Sequence, residues 1–166
     1  MSRSSSKGIK AAMGKVEERL GELGIKIPDI QAPLGSYKPA SITGNLIFIS
    51  GQLPLREGRL LFQGKVGTDI TVEEGMHAAR ASAVNALAVM SKELGELGRV
   101  KKIVKLTGYV ASAPGFHNQA IVVNGASDLF YEVFGEDGRH ARAAVGVAEL
   151  PMNAPVEVEL IAEITL

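Results

Sequence analysis

The stretch VEVELIAEITL, residues 156–166, alternates between apolar and polar side chains almost without a break. A two-residue period is typical of a β-strand with one buried face. One face carries the even residues Val156, Val158, Leu160, Ala162, Ile164 and Leu166, and the other carries Glu157, Glu159, Ile161, Glu163 and Thr165. We expect helices to cover the even face. The odd face should be hydrated, line a pore or lie at a subunit interface.

The rest of the chain predicts further strands and helices around this one. Apolar runs bounded by turn residues predict the other strands, at 37–43, 45–51, 58–67, 100–111 and 141–148. Helical spacing of apolar residues predicts three helices, at 8–23, from a cap at Asp69 or Thr71 to about Leu94, and within 114–135. If the strands at 141–148 and 156–166 form a hairpin, Arg142 lies opposite about residue 161. This order indicates an α+β two-layer domain, a mixed sheet with its helices on one face.

Length and composition favour a single soluble domain. The 166 residues are 46% hydrophobic and 22% charged, and 18 basic residues balance 18 acidic ones. Zero net charge makes a nucleic-acid partner unlikely. The absence of cysteine excludes thiolate chemistry, and the three histidines have no metal-ligand spacing, so we expect no metal site. Neither a secretory signal nor an apolar run of membrane-spanning length is recognisable, so we expect a cytoplasmic location without membrane contact.

Three blocks of the sequence resemble the RidA/YjgF family of reactive intermediate deaminases, also labelled L-PSP endoribonuclease-like. YKPASITGNLIFISGQLP (37–54) is similar to the opening motif of that family, and ARAAVGVAELPMNAPVEVELIAEI (141–164) to its closing motif. RVKKIVKLTGYV (99–110) matches in type and order between them. The resemblance divides the chain into a tail, helix and connector at 1–32 and a family-like domain at 33–166. The extra helix and the long segment 118–142 resemble a longer branch of the family.

The resemblance implies a fold, an assembly and an activity. The fold is chorismate-mutase-like, and three copies form a trimeric barrel with ligand clefts between subunits. The activity is hydrolysis of 2-imino or enamine acids to 2-oxo acids and ammonia, without a cofactor.

The family pattern also implies site residues in this chain. Arg142 matches the arginine that binds the substrate carboxylate, and its planar guanidinium suits bidentate pairing with a carboxylate. Glu157 matches the acidic residue that positions or activates the attacking water. Each has a plain alternative, because Arg142 could pair with a carboxylate of the sheet and Glu157 could be one of three hydrated glutamates.

Four further residues are implied as substrate-binding residues. Tyr37 matches an aromatic residue of the pocket, and Gly51 a glycine whose backbone approaches the ligand; the alternatives are an edge-strand tyrosine and an ordinary turn glycine. Ser127 falls where the family's helix carries an asparagine, and Asn124 lies one turn earlier. His140, two residues before Arg142, is either an acid–base group or a surface histidine.

Two other functions compete with deamination. A non-catalytic trimer that binds small carboxylates, or acts like a chaperone, would keep Arg142 and need no water-activating carboxylate. The serine at position 127 favours this function. An endoribonuclease is disfavoured by the zero net charge and by the lack of a histidine pair for acid–base catalysis.

Overall fold

A five-stranded sheet with two long helices on one face forms the body of the protein. The computed structural model describes residues 14–30, 32–33 and 35–166. The strands are β1 (Ala40–Thr43), β2 (Leu46–Gln52), β3 (Leu55–Arg56), β4 (Arg59–Leu60), β5 (Val100–Ala111), β6 (Ala141–Val147) and β7 (Val156–Ile164). The helices are α1 (14–22), α2 (Val72–Leu94) and α3 (Gln119–Phe134). The predicted two-layer α+β class is confirmed.

The sheet has the strand order β1-β2-β7-β5-β6. All neighbouring pairs are antiparallel except β5 and β6, which run parallel because α3 forms the crossover between them. The last strand of the chain, β7, therefore lies at the centre of the sheet. The even residues of β7 are buried beneath the helices and the odd residues are half-buried, as the alternation predicts.

Helix α2 begins with a capping box. The Thr71 hydroxyl accepts a hydrogen bond from the backbone N–H of Glu74, and the Glu74 carboxylate accepts one from the N–H of Thr71. The helix ends at Gly95 in a left-handed conformation. Its buried face is rich in alanine, as predicted, so its axis lies close to the sheet.

Helices α2 and α3 make a close contact at Gly125. A Cβ at this position would overlap the carbonyl oxygen of Met76 on α2. Glycine in the middle of α3 therefore permits the two backbones to meet, although it weakens the helix itself.

Helix α1 packs on the outside of the helical layer. Leu20 is buried in the common core, with Val16 and Leu23 packed against it. Arg19 donates a hydrogen bond from Nε to the carbonyl oxygen of Glu132 on α3, at 2.8 Å. The predicted helix is confirmed over 14–22, and its part at 8–13 lies outside the described residues. The division of the chain at residue 32 stays a prediction.

Two predictions about the strands are wrong. Residues 58–67 do not form a long strand, because β3 and β4 make a separate two-residue hairpin and the chain then turns. Gly64 and Gly67 have φ values of +108° and +99°, which are incompatible with extended backbone. The hairpin of β6 with β7 is also wrong, since β5 lies between them. Arg142 is level with Leu106 and, through it, with Leu160 rather than with residue 161.

The other sheet face has no helix on it among the described residues. Phe48 and Val145 on this face are each 40% exposed, beside Glu157, Glu159 and Tyr109. No helix in the part of the chain that the structure describes has the length and apolar composition needed to cross a membrane.

Candidate ligand-binding site

Arg142 lies on the helix-facing side of β6 and is held by α3. Its Nη1 donates to Asn124 Oδ1 at 2.7 Å and to Ser127 Oγ at 3.1 Å, and Nη2 donates to the carbonyl oxygen of Ala120 at 3.3 Å. Asn124, Ser127 and Ala120 recur along α3 at spacings of three to four residues, so they share one helix face. All three acceptors are neutral, and none of the salt bridges among the described residues involves Arg142.

The guanidinium retains donors for a ligand. Nε has no protein acceptor among the described residues, and Nη2 donates one long hydrogen bond. These two nitrogens lie on the same edge of the guanidinium, and a carboxylate can accept from such an edge with both of its oxygens. The three bonds to α3 fix the plane of the group before a ligand arrives.

His140 extends this hydrogen-bonded chain. Its Nδ1 lies 2.7 Å from the carbonyl oxygen of Gly138, and its Nε2 lies 2.9 Å from Ser127 Oγ. A carbonyl can only accept, so Nδ1 carries the proton of the neutral ring and Nε2 accepts from the Ser127 hydroxyl. Burial lowers the pKa of His140, and the Arg142 charge lowers it further against the opposing hydrogen bond to Gly138. The imidazole is therefore neutral over most of the physiological range.

Small residues surround the rest of Arg142's face. Ala144 follows on β6 with its side chain half-buried, and Gly146 comes two residues later. A Cβ at Gly146 would lie 2.8 Å from Gln119 Nε2 and 3.0 Å from Ser112 Oγ. The Gln119 amide in turn donates to Ser112 Oγ at 3.2 Å and to the carbonyl oxygen of Phe116 at 2.8 Å. The strip between α3 and β6 thus has polar groups at both ends and small residues between them.

Glu157 belongs to a second cluster on the uncovered sheet face. Gly51 of β2 packs directly against it, and a Cβ at position 51 would overlap Glu157 Oε1. Burial raises the pKa of Glu157, and the charge of Glu159 raises it further. Glu159 accepts a hydrogen bond from the Tyr109 hydroxyl at 2.8 Å. The same bond is the main cause of the raised pKa of Tyr109.

Tyr37 lies at the border of this second cluster. It precedes β1 and is 59% exposed. The adjacent residue, Lys38, accepts a hydrogen bond from the Ser50 hydroxyl through its carbonyl oxygen at 2.7 Å, which fixes Tyr37 beside the strand that carries Gly51.

Five of the six predicted site residues thus form two groups within one chain. Arg142, Asn124 and Ser127 lie together on the helix side, Gly51 and Glu157 lie together on the other side, and Tyr37 is an exposed residue that precedes β1. The register confirms the separation, because Glu157 is level with Tyr109 and Val145, both of which have the opposite parity to Arg142. One chain alone does not bring Glu157 to Arg142.

The bond between His140 and Ser127 is the feature that sequence reasoning missed. The two residues are 13 positions apart and meet only because α3 crosses back over the edge of β6. The available signal was the position of His140, two residues before Arg142 on the same side of an extended segment. No group of three or more potential metal ligands occurs among the residues described in the structure.

Comparison with known proteins identifies the family. The model described as "YjgF/chorismate_mutase-like, putative endoribonuclease" matches residues 17–164, which is most of the chain. The chain belongs to this family. The resemblance seen in the three sequence blocks is therefore confirmed, and so is the chorismate-mutase-like character of the fold.

Members of the YjgF family with similar sequences have varied names. Protein TCP17 of Trypanosoma cruzi is 47% identical over 154 residues, covering 92% of this chain and 96% of that protein. A RutC family protein of Aquifex aeolicus is 31% identical over 83% of this chain and 96% of its own length. A 2-iminobutanoate/2-iminopropanoate deaminase of Dermatophagoides farinae is 28% identical over 82% of this chain and 92% of its own length.

Two solved structures are similar to this chain at 40% identity or more. The protein Atu1372 of Agrobacterium tumefaciens, described as of unknown function, is 43% identical with a TM-score of 0.88, covering 98% of this chain and all of that one. A protein of Shewanella oneidensis described as a putative endoribonuclease is 40% identical with a TM-score of 0.87, covering 90% of this chain and 99% of that one. The match to Atu1372 covers 98% of this chain and so includes the N-terminal helix, as expected for a longer branch of the family.

Proposed function

We propose that this protein hydrolyses 2-imino acids to 2-oxo acids and ammonia. The single observation that carries the proposal is the state of Arg142. Its guanidinium is fixed by three neutral oxygens, has no carboxylate partner among the described residues, and keeps an edge of donors for a planar anion. An arginine whose role is to neutralise a carboxylate of the sheet would form an ion pair, and none of the ion pairs among the described residues includes Arg142.

The deaminase named among the relatives supports the reaction type. That protein is named for 2-iminobutanoate and 2-iminopropanoate, which are small acids with a carboxylate beside the reacting carbon. The small residues Ala144 and Gly146 beside Arg142 suit side chains of that size. At 28% identity the name indicates the class of substrate, and the chemistry of Arg142 is the independent reason to apply it here.

We further propose a homotrimer in which each site combines two subunits. The observation behind this is the separation of the two groups, because Glu157 lies two strands away from Arg142 and on the opposite face. A neighbouring copy that packs against β6, the edge strand that carries both Arg142 and the exposed Val145, would bring its Glu157 to the Arg142 strip. Glu157 of that copy would then hold the attacking water and receive its proton.

The direct test is ligand binding by Arg142→Ala and Arg142→Lys, with 2-oxobutanoate titrated by calorimetry. Loss of a bidentate charged pair costs about 1.5–3 kcal/mol, which corresponds to roughly 10- to 150-fold weaker binding in Arg142→Ala. Arg142→Lys should recover only part of the affinity, because a point charge does not reproduce the planar donor edge. Circular dichroism and sedimentation check that fold and assembly persist. Equal affinities in all three proteins would show that Arg142 does not bind the carboxylate, and the proposed reaction would be rejected.

A second candidate function is carboxylate binding without catalysis. The position of Glu157, remote from Arg142 in one chain, favours it. A hydrolysis assay distinguishes the two functions. An amino-acid oxidase forms 2-iminobutanoate in situ from 2-aminobutanoate, and the rate of its hydrolysis with the protein is compared with the spontaneous rate. Binding of 2-oxobutanoate without such acceleration would establish the binding protein and reject the deaminase.

A further inference from the structure

Ser127 and His140 form a hydrogen-bonded pair whose direction is fixed. The Gly138 carbonyl accepts the proton of Nδ1 at 2.7 Å, so Nε2 presents a lone pair to the Ser127 hydroxyl 2.9 Å away. Arg142 Nη1 donates to the same hydroxyl oxygen at 3.1 Å. The serine proton therefore points towards His140. A second lone pair of Oγ remains available to accept a proton from outside.

We propose that Ser127 and His140 act as a proton relay for a molecule bound at Arg142, with Ser127 as the contact and His140 as the base. This inference rests on the proposed deaminase function. In the resting state the Ser127 hydroxyl donates its hydrogen bond to His140, and this fixes the direction of proton transfer. Ser127 can accept a proton while it passes its own proton to His140. It cannot donate a proton to the ligand before that transfer. Ser127 Oγ lies 3.1 Å from Nη1 of the guanidinium, so the relay reaches a molecule held on the Nε–Nη2 edge through bridging water.

The step at which the relay acts follows from the proton balance. Water adds to the carbon of the protonated imine, its proton passes to Glu157 of the neighbouring copy, and that Glu157 returns the proton to the nitrogen. The resulting adduct carries a hydroxyl group and an ammonium group on one carbon. When the C–N bond breaks, the hydroxyl becomes a carbonyl and its proton moves to Ser127 as the Ser127 proton moves to His140. The imidazolium then returns its proton through Ser127 to the released ammonia, giving ammonium and the 2-oxo acid.

The surroundings of His140 suit a base of this kind. Among the described residues, Arg142 is the one whose charge affects the pKa of His140. Its positive charge disfavours protonation of the imidazole. Phe130 of α3 meets the imidazole edge-on, with ring centroids 6.1 Å apart. The nearby ion pair of Arg139 with Glu136 is exposed and 3.6 Å long. His140 is thus neutral at rest and returns its proton readily after each turnover.

The experiment compares wild type with His140→Gln, Ser127→Ala and a control, His77→Gln. Glutamine can still accept a hydrogen bond from Ser127 and cannot take up a proton. His77 lies on α2 beside the N-terminal connector, away from Arg142. The enzyme-dependent rate with 2-iminobutanoate formed in situ is measured as a function of pH, and the affinity for 2-oxobutanoate is measured by calorimetry.

We expect His140→Gln and Ser127→Ala to lower kcat by about 100-fold or more, which is the range of general acid–base catalysis. His140→Gln should bind 2-oxobutanoate as wild type does, and His77→Gln should match wild type in both measurements. Wild-type kcat should fall as the pH drops and His140 becomes protonated, and His140→Gln should lack this decline.

The outcomes separate this inference from the proposed function. An active wild type whose kcat and pH profile are unchanged in both variants overturns the relay alone. A wild type no faster than the spontaneous reaction overturns the deaminase function and the relay together. If His140→Gln does not fold, the kcat of Ser127→Ala and the acidic decline of the wild type decide the matter, and an undiminished kcat in Ser127→Ala rejects the relay.

Discussion

Replacement of Gly125 by alanine adds one methyl group at the crossing of α2 and α3, and we expect it to destabilise the protein. The new Cβ would overlap the carbonyl oxygen of Met76 and lie 2.8 Å from its carbonyl carbon and 3.0 Å from its Cα. All three are backbone atoms. A side-chain rotation cannot relieve the overlap, so one helix must shift against the other.

Two opposing terms set the magnitude. Alanine is favoured over glycine within a helix by about 1 kcal/mol. Overpacking a tight interior costs about 1–3 kcal/mol, and an overlap with backbone belongs at the upper end of that range. The net loss is therefore about 2 kcal/mol, or about 4–8 °C in Tm for a chain of this size.

The assay is thermal and urea unfolding at one fixed protein concentration, because assembly would make Tm depend on concentration. Gly21→Ala on α1 is the matched control, since a Cβ there would meet no atom within 4 Å. The same substitution should raise the stability slightly at Gly21 and lower it at Gly125. A Gly125→Ala protein as stable as wild type would show that the helix contact is not as close as described.

The other predictions concern a helix cap and a buried carboxyl group. Thr71→Ala removes the hydroxyl that caps α2 and should lower the free energy of unfolding by about 1 kcal/mol, whereas Thr68→Ala in the preceding turn should have almost no effect; equal values for the two variants in urea unfolding would contradict the capping role. Glu157→Gln should raise stability at neutral pH. The folded-state pKa of Glu157 lies above its ordinary value. The stability of the wild type therefore falls as the pH rises from the ordinary pKa to the folded-state pKa, and it stays lower at higher pH. Urea unfolding at about pH 4 and about pH 7 should show a gain for Glu157→Gln only at the higher pH, and an equal gain at both would exclude this cause.

Local patterns in the sequence predicted most of the elements correctly. The alternation in 156–166 and the cap at Thr71 are properties of adjacent residues, so they can be recognised without the fold. Residues 58–67 were misread because Leu60, Leu61 and Phe62 are apolar enough for a strand, whereas β4 ends at Leu60 and the chain turns at Gly64 and Gly67. Backbone conformation at glycine is set by contacts distant in sequence.

The sequence predicted candidate site residues one by one and not their arrangement. Arg142, Asn124 and Ser127 do lie together, but no local pattern shows that α3 places them so. The assumed hairpin of the last two strands hid the fact that Glu157 faces away from Arg142. Strand order depends on long-range pairing, which sequence periodicity does not contain.

The central position of β7 has a consequence for how the chain is made. A ribosome releases β1, β2, β5 and β6 first, and none of the four can complete the sheet, because β2 and β5 each need β7 as a neighbour. Until residues 156–164 emerge, the edges of β2 and β5 remain open, and the segment that contains α2 joins these two strands. We therefore expect the final collapse to wait for β7, with a slow step set by inserting one strand between two waiting partners.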